Sequence, residues 1–260
     1  MDLTEVLYEV ADRIATVTLN QPEKRNPLSA TTLHELRLAM DAARADDKVR
    51  AIILTGAGDK AFCAGADLSG FRGDQTEVER HMGRVDFVEL FLTMERLGKP
   101  LIACVNGHAL AGGFGLALAC DLIIAADTAT FGTPEINVGL WPMMIMAIIQ
   151  RNLPHKRATQ LYMTGERINA QTALDWGLVN GVVPPAEVRH AAREMALTLA
   201  RKSPLVMRLG RDAMYRIDRM DYESALRYLQ SQLTIVTMSE DSKEGVRAFL
   251  EKREPHFQGR

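Results

Sequence analysis

Two segments rich in glycine and alanine constrain the fold of this chain most, because each directly follows an apolar run typical of a buried strand. The first, AFCAGADL, spans residues 61–68, and the second, NGHALAGGFGLALACD, spans residues 106–121. Side chains this small let the main chain approach a ligand closely. A third segment, FGTPEINVGL at 131–140, places one carboxylate, Glu135, downstream. The sequence thus predicts two backbone turns near one acidic side chain.

Length and charge limit what these turns can belong to. The chain has 260 residues, 47% of them hydrophobic, which can bury a sizeable core as one large domain or as one domain with an appendage. The net charge of −2 speaks against nucleic acid or an acidic membrane surface as a partner. The longest apolar stretch, 141–149, is far shorter than the ~20 residues that span a bilayer, and no targeting segment is visible. We expect a cytoplasmic protein with a small-molecule substrate.

The cysteines indicate neither a metal site nor a disulfide framework. Cys63, Cys104 and Cys120 occur singly among apolar or small residues, without the paired spacing of zinc sites. The sequence therefore predicts buried free thiols and no metal.

Short apolar runs alternate with helical patterns along most of the chain. The runs typical of strands lie at 13–20, 49–56, 100–107, 120–127 and 177–184. Runs this apolar suggest strands that are covered on both faces. The segment 29–46 predicts a helix with Ser29 or Thr31 as its cap, and 76–97 predicts another.

The composition changes after Pro184 and Pro185 to helix-forming residues with many arginines. We expect an α/β core over residues 1–195 and a helical region over 196–260. Ser239 opens the last predicted helix as a cap.

The two turns suggest donors for a negative charge. Ala64 and Gly112 are the candidates, because their main-chain N–H groups lie among side chains too small to block a ligand. At Gly112, the start of a helix adds unpaired donors and a favourable dipole. Ordinary glycine turns are the alternative interpretation. A dinucleotide site is disfavoured, because the glycines do not fit G-x-G-x-x-G.

The chain as a whole resembles the crotonase (enoyl-CoA hydratase/isomerase) family. The resemblance is carried by PEKRNPLS, the two turns, FGTPEI, the segment 163–183 and the ending FLEKREPHF. It implies an α/β fold, a spiral of ββα turns with a C-terminal helical region that forms trimers, often as a dimer of trimers. It also implies acyl-CoA thioesters as substrates, with coenzyme A as part of the substrate and no metal or redox cofactor.

By this resemblance, the amides of Ala64 and Gly112 bind the thioester oxygen and Glu135 transfers a proton. Preorganised N–H groups stabilise an enolate more than the bound substrate. The alternative is that Glu135, which follows Pro134, merely sits favourably in the first turn of a helix.

One position departs from the pattern of the family's hydratases, many of which have a glutamate where this chain has Gly115. A single carboxylate suffices to move a proton from C2 to C4. We therefore expect isomerisation of 3-enoyl-CoA to 2-enoyl-CoA. The alternatives are a 2-enoyl-CoA hydratase with a single glutamate and a non-catalytic acyl-CoA binding protein.

The resemblance also implies contacts to coenzyme A. Lys24 and Arg25 match basic residues that bind phosphate, and Phe249 and Lys252 match a tail that reaches coenzyme A across a subunit boundary. Leu28, Asp67 and Leu68 are expected to touch adenine or pantetheine largely through the main chain. The segment 141–144 is expected to line the acyl pocket, with simple core packing as the alternative.

Overall fold

The computed structural model describes residues 2–67 and 76–260, so the candidate Leu68 lies outside the described residues. The strands are β1 (Val6–Ala11), β2 (Ile14–Leu19), β3 (Pro27–Leu28), β4 (Ala51–Gly56), β5 (Ala61–Cys63), β6 (Gly65–Ala66), β7 (Leu101–Val105), β8 (His108–Leu110), β9 (Leu122–Ala126), β10 (Thr130–Gly132), β11 (Arg167–Asn169) and β12 (Gly181–Val183). The α-helices are α1 (Ala30–Ala45), α2 (Glu77–Gly83), α3 (Val85–Glu95), α4 (Gly112–Leu118), α5 (Met143–Asn152), α6 (His155–Thr164), α7 (Ala170–Asp175), α8 (Val188–Ala200), α9 (Pro204–Ile217), α10 (Tyr222–Met238) and α11 (Glu240–Leu250). Short 3-10 helices cover Pro22–Lys24 and Pro134–Val138.

The five runs predicted as strands all lie in one six-stranded sheet, which has the order β1-β2-β4-β7-β9-β12. β1 pairs antiparallel with β2, and the pairs from β2 onward are parallel. One face belongs to the main apolar core, which includes Leu36 and Met40 of α1. The other face packs against α8 through Ala192 and Ala196. The prediction that these strands are covered on both faces is confirmed.

A smaller sheet has the order β11-β10-β8-β5. β8 pairs in parallel with β5 on one side and with β10 on the other, so Ala109 lies opposite both Cys63 and Phe131. β11 joins β10 antiparallel. The carboxyl ends of β5, β8 and β10 therefore lie at one edge, which is where ligands bind in many sheets of this kind.

Helix starts in the N-terminal half follow local capping. Ser29 is the N-cap of α1, and its hydroxyl accepts the N–H of Thr32 at 3.0 Å. Thr31, the other candidate, lies inside the helix. The single helix predicted over 76–97 is in fact two helices, α2 and α3, which divide at Arg84.

The C-terminal helices begin only after the large sheet has been covered. The predicted boundary at residue 195 falls inside α8, which packs against β4, β7 and β9. The change from core to helical region therefore comes after Ala200. In the described residues, no helix combines the length and the apolar character that a bilayer span requires.

Arg211 fastens the C-terminal helices to the core. This arginine of α9 is 4% exposed; its Nε donates to Asp121 Oδ2 at 2.8 Å, and its other nitrogens donate to the carbonyls of Glu95 and Met94 at 2.7 Å. The next two helices are much less covered. Large exposed apolar side chains on α10 and α11 include Leu226, Leu233, Ile235, Met238, Val246, Phe249 and Leu250.

Glu35 joins α1 to the first strand. Its carboxylate accepts the N–H groups of Thr4, Glu5 and Val6 at 2.8 to 3.0 Å, and the Thr4 hydroxyl donates to it as well. Burial raises the pKa of Glu35, but these hydrogen bonds outweigh it, so the pKa is lowered. The carboxylate form thus stabilises the start of the sheet.

We expect Glu35→Ala to lower the free energy of unfolding by about 3 kcal/mol at neutral pH, because several donors lose a charged acceptor. A lowered folded pKa gives a contribution that is present at neutral pH and is lost as the pH falls through that pKa. Urea unfolding at several pH values measures this difference, which should shrink on acidification. Glu223→Ala, at an exposed residue of α10, is the control. Equal losses in the two variants would contradict the role of Glu35.

Candidate active site

Three loops leave the small sheet at the same edge, and they carry all three predicted catalytic residues. Residues 64–66 follow β5, residues 111–112 follow β8, and residues 133–135 follow β10. The second loop is hydrogen-bonded to the end of β10, because the N–H of Ala111 donates to the carbonyl of Gly132 at 2.9 Å. Parallel pairing therefore gathers segments that are distant in sequence.

The first two loops touch, and glycine makes their contact possible. A Cβ at Gly65 would lie 2.6 Å from the Cβ of Ala111 and 3.1 Å from the N atom of Gly112. A Cβ at Gly113 would lie 2.3 Å from the carbonyl oxygen of Cys63. The two small-residue turns predicted from the sequence thus pack main chain against main chain.

Ala111 holds the second turn in a conformation that glycine adopts more easily, with φ 51° and ψ −128°. Such a backbone costs about 1–3 kcal/mol and is typical of functional sites. The N–H groups of Phe114 and Gly115 both donate to the Ala111 carbonyl, at 2.9 and 3.2 Å. The N–H of Gly112 precedes these first helical bonds, so it has no acceptor within α4.

The Ala64 amide is not a free donor, which corrects the expectation from sequence. Its N–H donates to the carbonyl of Arg25 at 3.0 Å. The N–H of Asp67 donates to the carbonyl of Leu28 at 3.2 Å, beside the pairing of β6 with β3. Successive N–H groups of a strand point to opposite sides, so the N–H of Ala66 points away from β3. The sequence could not show this, because the direction depends on the register of two very short strands.

Glu135 combines burial with the lack of a partner. It lies in the 3-10 helix that begins at Pro134, and its Oε2 is buried without a hydrogen-bond partner among the described residues. Burial raises the pKa of Glu135, although its own backbone N–H opposes the shift. A glutamate that merely favoured a helix start would be solvated, so the helix-start alternative does not explain the buried oxygen.

The segment around Glu135 is held by α6. Thr133 is fully buried, and its hydroxyl donates to the carbonyl of Leu161 at 2.9 Å. Asn137 donates to the carbonyl of Gly165 at 3.4 Å. Neither residue was predicted from the sequence, because nothing in the local pattern shows which helix packs against this segment.

Gly115 faces an apolar wall. A Cβ there would lie 2.3 Å from Cγ2 of Ile145 and 3.6 Å from Cζ of Phe91. Phe91 packs edge-on against Phe87 with ring centroids 4.9 Å apart. Cζ of Phe87 lies 3.2 Å from the position that a Cβ on Gly112 would occupy. The position that carries a glutamate in many hydratases is thus closed by an isoleucine.

A basic cavity of about 290 Å³ lies beside the first turn, and Ala64 and Leu110 are among its lining residues. The sequence predicted only one of its cations, Arg25. The others come from separate loops that the fold brings together. Burial, Arg167 and Arg25 together lower the pKa of His108. The charged or titratable lining residues are Arg25, Asp59, Lys60, His108 and Arg167.

The remaining coenzyme A candidates fall into two groups. Lys24 is exposed in its 3-10 helix. Leu28 is buried, and its Cδ1 lies 3.2 Å from the position that a Cβ on Gly112 would occupy. Phe249 is 82% exposed on α11, and Lys252 follows that helix. Because α11 packs against α9 and α10, these two residues lie in the C-terminal helices and not at the sheet edge.

The segment 141–144 is only partly packed. The half-buried ring of Trp141 lies 6.1 Å from the ring of Tyr162, while Met143 and Met144 are exposed. Simple core packing therefore describes Trp141 but not the two methionines.

The three cysteines are buried free thiols, as predicted. Burial raises the pKa of Cys63, at the end of β5, to about 12, although the N–H of Gly65 opposes the shift. Cys63 is therefore a protonated thiol at neutral pH and no nucleophile.

A family model described as enoyl-CoA hydratase/isomerase matches residues 9–260. The chain belongs to this family of acyl-CoA enzymes. It is 37% identical to the short-chain-enoyl-CoA hydratase of Clostridium acetobutylicum over 97% of both chains. It is 38% identical to the carnitinyl-CoA dehydratase of Escherichia coli over 95% of both chains. The crystal structure of the enoyl-CoA hydratase from Bacillus anthracis superimposes with a TM-score of 0.94 and 34% identity, covering 99% of this chain and 100% of that one.

These comparisons confirm the resemblance to the crotonase family and its mixed α/β fold, with a helical C-terminal region. They also establish this enoyl-CoA hydratase/isomerase family member as an enzyme. These names describe the relatives, so the reaction of this chain is inferred below from the residues of its own site.

We expect Gly65→Ala to destabilise this family member by more than about 3 kcal/mol and to reduce its activity. Alanine is strained at a φ of +97°, and its Cβ would lie only 2.6 Å from the Cβ of Ala111. Gly177→Ala is the matched control, because Gly177 has φ +77° but nothing within 4 Å of its Cβ. This control should cost only about 1–2 kcal/mol. Thermal unfolding of both variants measures the difference, and equal costs would refute the close contact of the two turns.

Proposed function

We propose that this enzyme converts 3-enoyl-CoA thioesters into 2-enoyl-CoA thioesters through an enolate. The observation that carries the proposal is the one carboxylate that follows β10, Glu135, whose Oε2 is buried without a partner among the described residues, combined with the lack of room for a side chain at Gly115. Proton transfer between two carbons needs one base that also acts as the acid.

In this proposal, the thioester oxygen binds between two main-chain N–H groups. The first is that of Gly112, which has no acceptor within its helix. The second is that of Ala66, in place of Ala64, whose N–H is bonded to Arg25. Such donors stabilise the developing negative charge more than the neutral carbonyl, and losing one typically costs about 2.7–4 kcal/mol.

The proposed steps are redox-neutral and return the enzyme unchanged. The Glu135 carboxylate removes a proton from C2, and the electron pair of that bond delocalises onto the thioester oxygen. The protonated Glu135 then donates a proton to C4, and any exchange of its carboxyl proton with D2O places deuterium there. The double bond moves from C3–C4 to C2–C3, where it is conjugated with the thioester.

The basic cavity supports a site for the phosphates of coenzyme A. Arg25 lines it and Lys24 is adjacent in sequence, while Lys60 and Arg167 add two further cations. Basic side chains suit phosphate as point charges or through paired hydrogen bonds. We assign these residues to the coenzyme A part of the substrate, together with Leu28, Asp67 and Leu68.

The exposed apolar side chains of α10 and α11 support self-association with further copies of this chain. We propose a trimer or a dimer of trimers, as the family resemblance implies. Phe249 and Lys252 would then reach the coenzyme A of a partner subunit, since they lie away from the sheet edge of their own chain.

Hydration of 2-enoyl-CoA is the second candidate, and the names of the relatives favour it. Glu135 would then hold the water that adds to C3. The apolar closure over Gly115 argues for the isomerase, because a side chain at residue 115 has no room to position a water. A protein that only binds acyl-CoA is the third candidate.

We expect Glu135→Gln to reduce isomerisation of a 3-enoyl-CoA in D2O by about 10²–10⁴-fold while acyl-CoA binding persists, because the amide cannot accept the proton. The measurements are the absorbance of the conjugated thioester and the deuterium content of the product by mass spectrometry. Glu166→Gln, on a neighbouring loop, should remain active. Formation of a 3-hydroxyacyl-CoA by the wild type would favour the hydratase. If neither a product nor deuterium exchange were detected, the protein would either only bind acyl-CoA or act on a different acyl group.

The raised pKa of Glu135 predicts how activity depends on pH. Burial favours the neutral acid, so Glu135 loses its capacity as a base at a higher pH than an ordinary glutamate does. We expect kcat/KM to fall on acidification, with an apparent pKa above the usual glutamate range. Protonation also relieves the cost of burying the charge, so Glu135→Gln should unfold at a temperature no lower than the wild type at neutral pH. An acid limb at the ordinary glutamate pKa would contradict the assignment.

A further inference from the structure

We propose that Ile145 determines which acyl groups the site accepts, by filling the space beside the two carbons next to the thioester carbonyl. This inference rests on the proposed binding of the thioester oxygen at the Gly112 amide. It assigns a specificity-determining residue on α5, a helix outside the three loops that carry the catalytic groups.

The geometry of α4 links Ile145 to the substrate. Gly112 and Gly115 are three residues apart, so they lie on the same side of the helix with a rise of about 4.5 Å between them. In the proposed complex, a substrate whose oxygen binds at the Gly112 amide extends its C2 and C3 along the side of α4 that Gly115 shares. The wall beside Gly115 is formed by Ile145 and Phe91.

Ile145 occupies the space next to Gly115. Ile145 is 3% exposed, and its Cγ2 lies only 2.3 Å from the position that a Cβ on Gly115 would occupy. Phe91 is half-buried and is itself packed against Phe87. A branch methyl on C2 or C3 that points toward α5 would need the volume that Ile145 fills, so the site should select unbranched acyl groups.

The test compares binding of saturated thioesters, which cannot be isomerised or hydrated. Butanoyl-CoA and 2-methylbutanoyl-CoA are titrated by calorimetry into wild type, Ile145→Ala and the matched control Ile149→Ala. Ile149 is fully buried one turn further along α5, so its truncation makes a comparable cavity elsewhere. We expect the wild type to prefer butanoyl-CoA, and Ile145→Ala to reduce that preference by at least about tenfold, because a hydrophobic pocket discriminates a methylene by 10–200-fold. Ile149→Ala should keep the wild-type preference.

Ile145→Val keeps most of the packing and serves if the alanine variant unfolds. It should shift the preference in the same direction by a smaller factor. An unchanged preference in Ile145→Ala, or an equal change in Ile149→Ala, would overturn the proposal. Because the ligands are unreactive, these results are independent of the isomerisation assay, so a wild type that binds with this selectivity but forms no 2-enoyl product would refute the proposed reaction alone.

Discussion

The carbonyl oxygen of Cys63 lies so close to the start of α4 that residue 113 has no room for a side chain. The same closeness recurs at Gly65, whose main chain lies against Ala111 and Gly112. Two loops that are about fifty residues apart in sequence thus form one surface made of main chain. If either glycine carried a Cβ, the loops would have to separate, and the two N–H groups proposed to bind the thioester oxygen would move apart. The relative position of the two loops therefore depends on the lack of a Cβ at Gly65 and Gly113.

The surroundings of this surface explain how an unfavourable group persists. A buried carboxylate oxygen without a partner, such as Oε2 of Glu135, costs free energy, and the strained backbone of Ala111 adds to that cost. Both lie at the edge of a sheet whose strands are fixed by parallel pairing, and Glu135 is further held through Thr133 and α6. The rigid core stabilises the chain enough to tolerate the two local costs, as is common at catalytic sites.

Sequence reasoning succeeded where the signal is local or periodic. The five apolar runs became strands of the large sheet, and Ser29 became the cap of α1, because burial and capping depend on nearby residue types. It failed where register decides: the N–H of Ala64, the predicted donor, is bonded to Arg25, and the proposed replacement, Ala66, follows only from the pairing of β6 with β3. Lys60 and Arg167 were missed for the same reason, since tertiary contacts alone bring their loops into one cavity. Family resemblance supplied roles for residues, but it could not supply these directions.

The buried thiol of Cys63 bears on the durability of the enzyme. A 2-enoyl thioester is an electrophile at C3, and a thiolate beside it would add to that carbon and remain attached. Cys63 immediately precedes the turn that borders the site, yet its pKa of about 12 keeps nearly every molecule protonated at neutral pH. Its side chain is also fully enclosed. In the proposed reaction, burial of this one sulfur therefore protects the protein from alkylation by the 2-enoyl product.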